Sequence, residues 1–168
     1  MLTDHAKLMH FFSIAKEVPG RKKLQKMIYI LQKNHVPFAE KFQFHFYGPY
    51  SEELSLRVEE LTNLGFVSEE KEEKSNYYQY NYQITKDGQE FLRQFSLDMP
   101  DFADKVAELK TKSSRFLELV ATMLYFDDLP RKQVVEKVYM VKPKQNYSEQ
   151  EIKEAWVLID SLKENPPA

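Results

Sequence analysis

Five cations gather in one short stretch of this chain: Arg21, Lys22, Lys23, Lys26 and Lys33. On a helix Lys22, Lys26 and Lys33 share a face, and several cations on one helical face attract phosphates whatever the base sequence. Lys74, near the tip of a hairpin, would add to that field. The competing explanation is a solvated lysine surface, which clusters of this size usually are. Tyr78, Tyr80 and Tyr82 alternate along an extended stretch, so their rings leave one strand face and can stack bases or meet a protein. More often such a row packs against its own helices, and without surrounding cations a core or a dimer seam is favoured. Glu52, Glu53, Glu59 and Glu60 make one short helix acidic, and with Tyr78 and Tyr80 they form the candidate protein-contact surface.

Chemistry of other kinds finds little material. The four histidines, His5, His10, His35 and His45, have no pair at ligand spacing, so no metal site is expected. Asp127 and Asp128 sit at a helix end, where capping or solvation accounts for them. There is no nucleophile elbow, no phosphate-cradling glycine-rich loop and no His-Glu-x-x-His pair. Four glycines in the whole chain make backbone cradles improbable, and the absence of cysteine removes disulfide and thiolate chemistry. No enzyme activity and no cofactor are expected.

Elements must hold these groups in place. An apolar content of 42% with 14% aromatics is enough to bury a core in 168 residues. No apolar run approaches the roughly 20 residues of a membrane span, and Met1 to His5 lack the basic-then-apolar order of a signal peptide, so a cytoplasmic protein is expected. Charge is polarised: residues 1–50 carry eight basic against three acidic side chains, and residues 51–73 carry two against eight. An anionic partner should meet the first fifty residues and be repelled by the block that follows.

Thr3 or Asp4 can cap a first helix that buries Leu8, Phe11, Phe12 and Ala15, and Pro19-Gly20 stops it. A second helix runs from Arg21 to about Asn34. The alternation of Phe42, Phe44 and Phe46 indicates a strand, turned by Gly48-Pro49, and Ser51 caps a helix to Leu64. Two strands follow, with Glu69 to Ser75 as the hairpin tip, and then a helix capped by Thr85. Met99-Pro100 marks the one credible internal boundary. Beyond it Phe102, Val106 and Leu109 space a helix. Phe116 to Phe126 is apolar nearly all round, as in a central bundle helix or a subunit interface. Pro130 opens another helix, Ser148 to Glu151 form a capping box before Ile152, Ala155, Trp156 and Ile159, and Pro166-Pro167 closes the chain.

The segment Lys23-Leu24-Gln25-Lys26-Met27-Ile28-Tyr29-Ile30-Leu31, followed by Phe44-His45-Phe46-Tyr47-Gly48-Pro49-Tyr50-Ser51, resembles the YwgA family of Gram-positive bacteria over most of the chain. More distantly, a helix of this kind with a later Tyr-Gly-Pro turn is similar to Panacea or SocA-like domains. That resemblance implies a partner-binding role, because such domains serve as antitoxin or adaptor modules and occur in phage-associated proteins. It brings no catalytic residue. Leu24, Tyr29, Leu31 and the Gly48-Pro49 turn carry over as scaffold.

The expected fold is α+β and mainly α: a winged-helix-like part over residues 1–97, with a three-stranded sheet and a wing hairpin, and a C-terminal helical bundle over 101–165 packed on it. One departure stands out, because only one helix fits between the Phe42 strand and the wing where a helix-turn-helix needs two. The helix before the wing offers Arg57 among four glutamates, a poor surface for DNA. The expected function is non-catalytic binding or regulation through protein contacts, with self-association through the apolar C-terminal helices. The alternative is a DNA-binding regulator that uses the basic helix 21–33.

Overall fold

A computed structural model describes residues 2–164. Helix α1 (Leu2–Ala15) buries Leu8, Phe11, Phe12 and Ala15 completely. It already contains Thr3 and Asp4, so neither caps it. Lys16 then takes a positive φ of 68° and swings the chain into a strand that its sequence does not announce, β1 (Glu17–Pro19). Three residues ending in proline show no period, which is why pattern reading passes over them.

β1 corrects the expected sheet. It pairs antiparallel with β5 (Tyr78–Ile84), which pairs in turn with β4 (Val67–Glu73), giving the order β1-β5-β4. The Phe42 stretch forms a separate hairpin, β2 (Gln43–His45) and β3 (Gly48–Tyr50). Helices α2 (Arg21–Lys33) and α3 (Glu52–Asn63) therefore both lie between the first strand of the three-stranded sheet and β4. Taking the Phe42 stretch as that strand leaves only α3 in the interval. Glu69 to Glu73 belong to β4, and the tip is the tighter segment after it, closed by a bond from Lys74 N to Tyr77 O at 2.8 Å.

Local capping follows the expected chemistry. The Ser51 hydroxyl accepts from Leu54 N at 3.1 Å at the start of α3, and Thr85 accepts from Gly88 N at 3.0 Å at the start of α4 (Lys86–Leu92). At the start of α8 (Glu149–Glu164), Ser148 N donates to Glu151 Oε1 at 3.0 Å and Glu151 N to Ser148 Oγ at 3.1 Å, a reciprocal box. Pro166 and Pro167 lie outside the described residues. Gly88 is held where α4 presses on the preceding strand: a Cβ there would collide with the Phe66 carbonyl and come within 2.9 Å of Ile84. Gly88→Ala is expected to lower stability by about 2 kcal/mol through forced backbone displacement, read as a shifted urea midpoint.

The remaining helices are α5 (Ala103–Lys110), α6 (Ser114–Tyr125) and α7 (Arg131–Val141). Every residue of α6 from Leu117 to Leu124 is buried, and the helix is covered by α2, β3, α7 and α8 of the same chain. The first of the two readings of this apolar helix is the one realised. α2 is likewise buried from Lys23 to Leu31, so it is a central helix and not an amphipathic one with a lysine face.

Candidate binding surface

The polar side chains of α2 reach backbone atoms of the β3 turn. Gln25 Oε1 accepts from Ser51 N at 2.9 Å, while its Nε2 donates to Ser51 O at 2.9 Å and Ser55 Oγ at 3.1 Å. Lys26 Nζ donates to Pro49 O at 2.8 Å. From the end of α7, Lys142 Nζ donates to Phe46 O and pairs with Glu118 of α6 at 3.4 Å. Gly48, at φ +85°, lies so close to α6 that a Cβ would sit 3.2 Å from Thr122 Oγ1. Three long side chains, two from α2 and one from the end of α7, thus hold one turn by its carbonyls and amides. This latch joins the two sequence stretches that carry the family resemblance, and Gln25, Glu118 and Lys142 were not singled out from sequence because their partners are 23 or more residues away along the chain or are backbone atoms.

Burial pushes the Lys26 ammonium down to about 8, with Glu118 opposing and Lys142 and Lys22 reinforcing. Lys23 and Lys105 are displaced the same way by desolvation. A lysine depressed from 10.5 in the fold binds fewer protons folded than unfolded between about 8 and 10.5, so stability rises with pH across that window. Burial raises the Tyr29, Tyr82 and Tyr147 phenols above their ordinary 10.0, and stability falls once unfolded tyrosine begins to ionise. Urea unfolding is expected to show a gain of about 2–3 kcal/mol from pH 7.5 to a maximum near 9.5, and Lys26→Met should flatten most of that rise.

Beside the latch, α2 and α3 leave a cleft of about 620 Å³ floored by Leu24, Leu54 and Val58. Tyr47 and Tyr50 bound it toward the turn, and Glu69 and Tyr82 bound it toward the sheet. Arg21 spans this second end: its guanidinium stands 4.0 Å from the Tyr80 ring centroid, its Nε donates to Tyr82 Oη at 3.0 Å, and it faces Glu69 at 3.6 Å. Lys22 Nζ lies 3.6 Å over Tyr47, and Lys71 Nζ lies 4.1 Å over Tyr78. The tyrosine row therefore does have cations around it, contrary to the sequence-based expectation. It grades from buried Tyr82 through half-buried Tyr80 to exposed Tyr78.

The candidate phosphate contacts do not form one surface. Lys23 and Lys26 are buried, Lys23 donating to Lys110 O at 2.7 Å, because the long stems run under neighbouring backbone. Lys33 pairs with Asp127 at 3.2 Å. Arg21 and Lys22 are exposed but stacked, and exposed Lys74 stands apart at the hairpin tip. Of the acidic set, Glu52 and Glu59 are exposed, Glu60 meets His5 at 3.2 Å, and Glu53 accepts from Lys41 N at 2.8 Å. Arg57 is turned inward onto buried Glu40 and onto Asp4 at 3.4 Å. His10 packs edge-on against Phe102 and His45 stacks on Tyr50. The most exposed large apolar side chain among the described residues is Phe46, 94% accessible at the tip of the latched hairpin.

The molecule is thus an α+β, mainly helical protein whose polar-latched hairpin borders a mixed-charge cleft. Among the described residues no helix is long and apolar enough to cross a membrane. No family model matches the sequence. The chain is 54% identical over 164 residues to the uncharacterized protein YwgA of Bacillus subtilis (strain 168), covering 98% of this chain and 99% of that one. It belongs to the YwgA family.

Proposed function

We propose that this is a non-catalytic, regulatory binding protein that acts in the cytoplasm through protein contacts made by the hairpin tip and the adjoining cleft. The observation that carries this reading is Phe46. An aromatic ring exposed at 94% would ordinarily cost solubility without return, yet its backbone carbonyl is held by Lys142 and its turn by Lys26 and Gln25. A solvent-facing aromatic borne on a held backbone is a partly preorganised anchor, losing little backbone freedom when a partner closes over it. The cleft beside it offers an apolar floor and charges of both signs.

The connectivity of α1, β1, α2, α3, β4 and β5, with sheet order β1-β5-β4, supports a winged-helix reading of the N-terminal part. In that reading α3 occupies the place of a groove-reading helix. Its single cation, Arg57, is engaged with Glu40 and Asp4, while Glu52 and Glu59 face solvent, a surface that repels duplex DNA. The alternative of DNA binding through residues 21–33 retains Arg21 and Lys22 as exposed cations of α2. A photo-crosslinker at position 46 should capture a discrete protein band in cells while one at Lys153 does not. No capture from position 46, together with duplex binding that collapses as salt rises, would reverse the choice.

A further inference from the structure

The same chain carries a cavity suited to its own exposed ring. Between α1, α3 and α4 lies a pocket of about 200 Å³ lined by Leu2, Met9, Leu61, Leu64, Phe66 and Phe91, with His5 and Glu60 completing its lining. Leu2 and Leu64 leave 52% and 59% of their surface in solvent there, so the apolar lining opens outward. Its size suits a single aromatic side chain and leaves little room for more. Phe46 is the side chain that fits it chemically, and the two features belong to different element groups: the knob to the β2–β3 hairpin, the hole to α1, α3 and α4.

Charge matches as well. The knob emerges from the first fifty residues, which carry eight basic against three acidic side chains, and Lys22 lies 3.6 Å over the ring of Tyr47, the residue next to Phe46. The hole is formed by α1, α3 and α4, and the exposed carboxylate of Glu60 on α3 stands in its lining. A ring seated in the hole would bring these opposite surfaces together.

We propose that a second copy of this chain docks head to tail, with Phe46 of one molecule filling the Leu61/Leu64/Phe91 pocket of the next. This rests on the reading of Phe46 as a protein anchor and specifies its partner. Knob and hole are different patches, so the contact is heterologous and a docked pair keeps one free knob, on one molecule, and one free hole, on the other. A contact centred on one ring is small, so association is weak, with a dissociation constant on the order of tens of micromolar.

Sedimentation equilibrium from 5 to about 500 µM, a span chosen to bracket that affinity, tests it. Wild type should gain mass with concentration, and less so at high salt. Phe46→Asp and Leu64→Asp should each weaken association at least about thirtyfold, both sites being exposed and outside the core. Mixing the two variants should restore a 1:1 dimer, because one retains the hole and the other the knob. Monomer at every concentration, or a mixture that stays monomeric while wild type assembles, overturns the proposal. If wild type is monomeric yet position 46 still captures a different protein, the binding reading stands and the self-docking inference fails; if position 46 captures nothing, both fail.

Discussion

Arg57→Met is expected to cost about 3–5 kcal/mol at neutral pH, the largest loss of any single surface-born substitution in this chain. Glu40 is 2% exposed and one of its oxygens, Oε1, has no hydrogen-bond partner, so the carboxylate depends on Arg57 at the other oxygen. Desolvation already holds Glu40 above the ordinary carboxylate range, with Arg57 opposing. Without the guanidinium, burial and the Asp4 charge favour the protonated acid and only a backbone hydrogen bond still opposes them. A carboxyl raised in the fold binds more protons folded than unfolded, so stability is lost as pH rises through the folded value. The deficit relative to wild type should therefore be small near pH 4.5 and full by pH 7.5. Urea denaturation at the two pH values checks this, and Glu40→Gln added to Arg57→Met should recover much of the neutral-pH loss, since the pair couples directly. An equal deficit at both pH values would show that Arg57 contributes packing and not charge compensation.

Arg57 also illustrates what the sequence could disclose. Its helix, its Ser51 cap and its apolar face are local and follow from spacing and capping chemistry. Its direction is not local: Glu40 lies 17 residues away in a stretch without helix or strand, and no periodicity points one at the other. Lys26 failed in the same manner. Hydrophobic pattern puts lysine outside, yet a long stem that ends on a carbonyl satisfies the ammonium inside. The Tyr78, Tyr80, Tyr82 row was legible as a face because strand alternation is strict, whereas its cations come from α2 and from the facing strand. The helices and hairpins thus follow from short-range rules, while β1 depends on pairings 62 to 66 residues apart and the latch on contacts 23 to 96 residues apart. The sequence-distant half of the surface could not be read from one chain's pattern, although the quoted family stretches, Leu24-Gln25-Lys26 and Phe46 to Ser51, do contain the latch's backbone partners and two of its donors.

The latch yields the second large effect. Lys142→Met should cost about 3 kcal/mol, because it removes the cation that faces buried Glu118 and the donor that holds Phe46 O. Glu118 Oε2 has no hydrogen-bond partner of its own, so the ion pair is what compensates its burial. Lys26 and Arg115 then remain as the cations that interact with that carboxylate. Removing Lys142 also removes one of the charges that depress Lys26, so the Lys26 value should climb from about 8 toward the ordinary range. The sign follows directly: the rise in stability between pH 8 and 10.5 narrows and moves upward, because folded and unfolded chains then differ in bound protons over a shorter interval. Hydrogen exchange supplies a readout that a general loss of packing would not reproduce, with residues 43–50 exchanging faster while α8 keeps its protection relative to global stability. If the hairpin loosens in this way, the backbone that carries Phe46 loses its preorganisation, and Lys142→Met should weaken every contact made by that ring although position 142 lies beneath the turn. A variant that loses stability but keeps both the pH profile and the hairpin protection of wild type would mean that the turn is held by Gln25 and Lys26 alone.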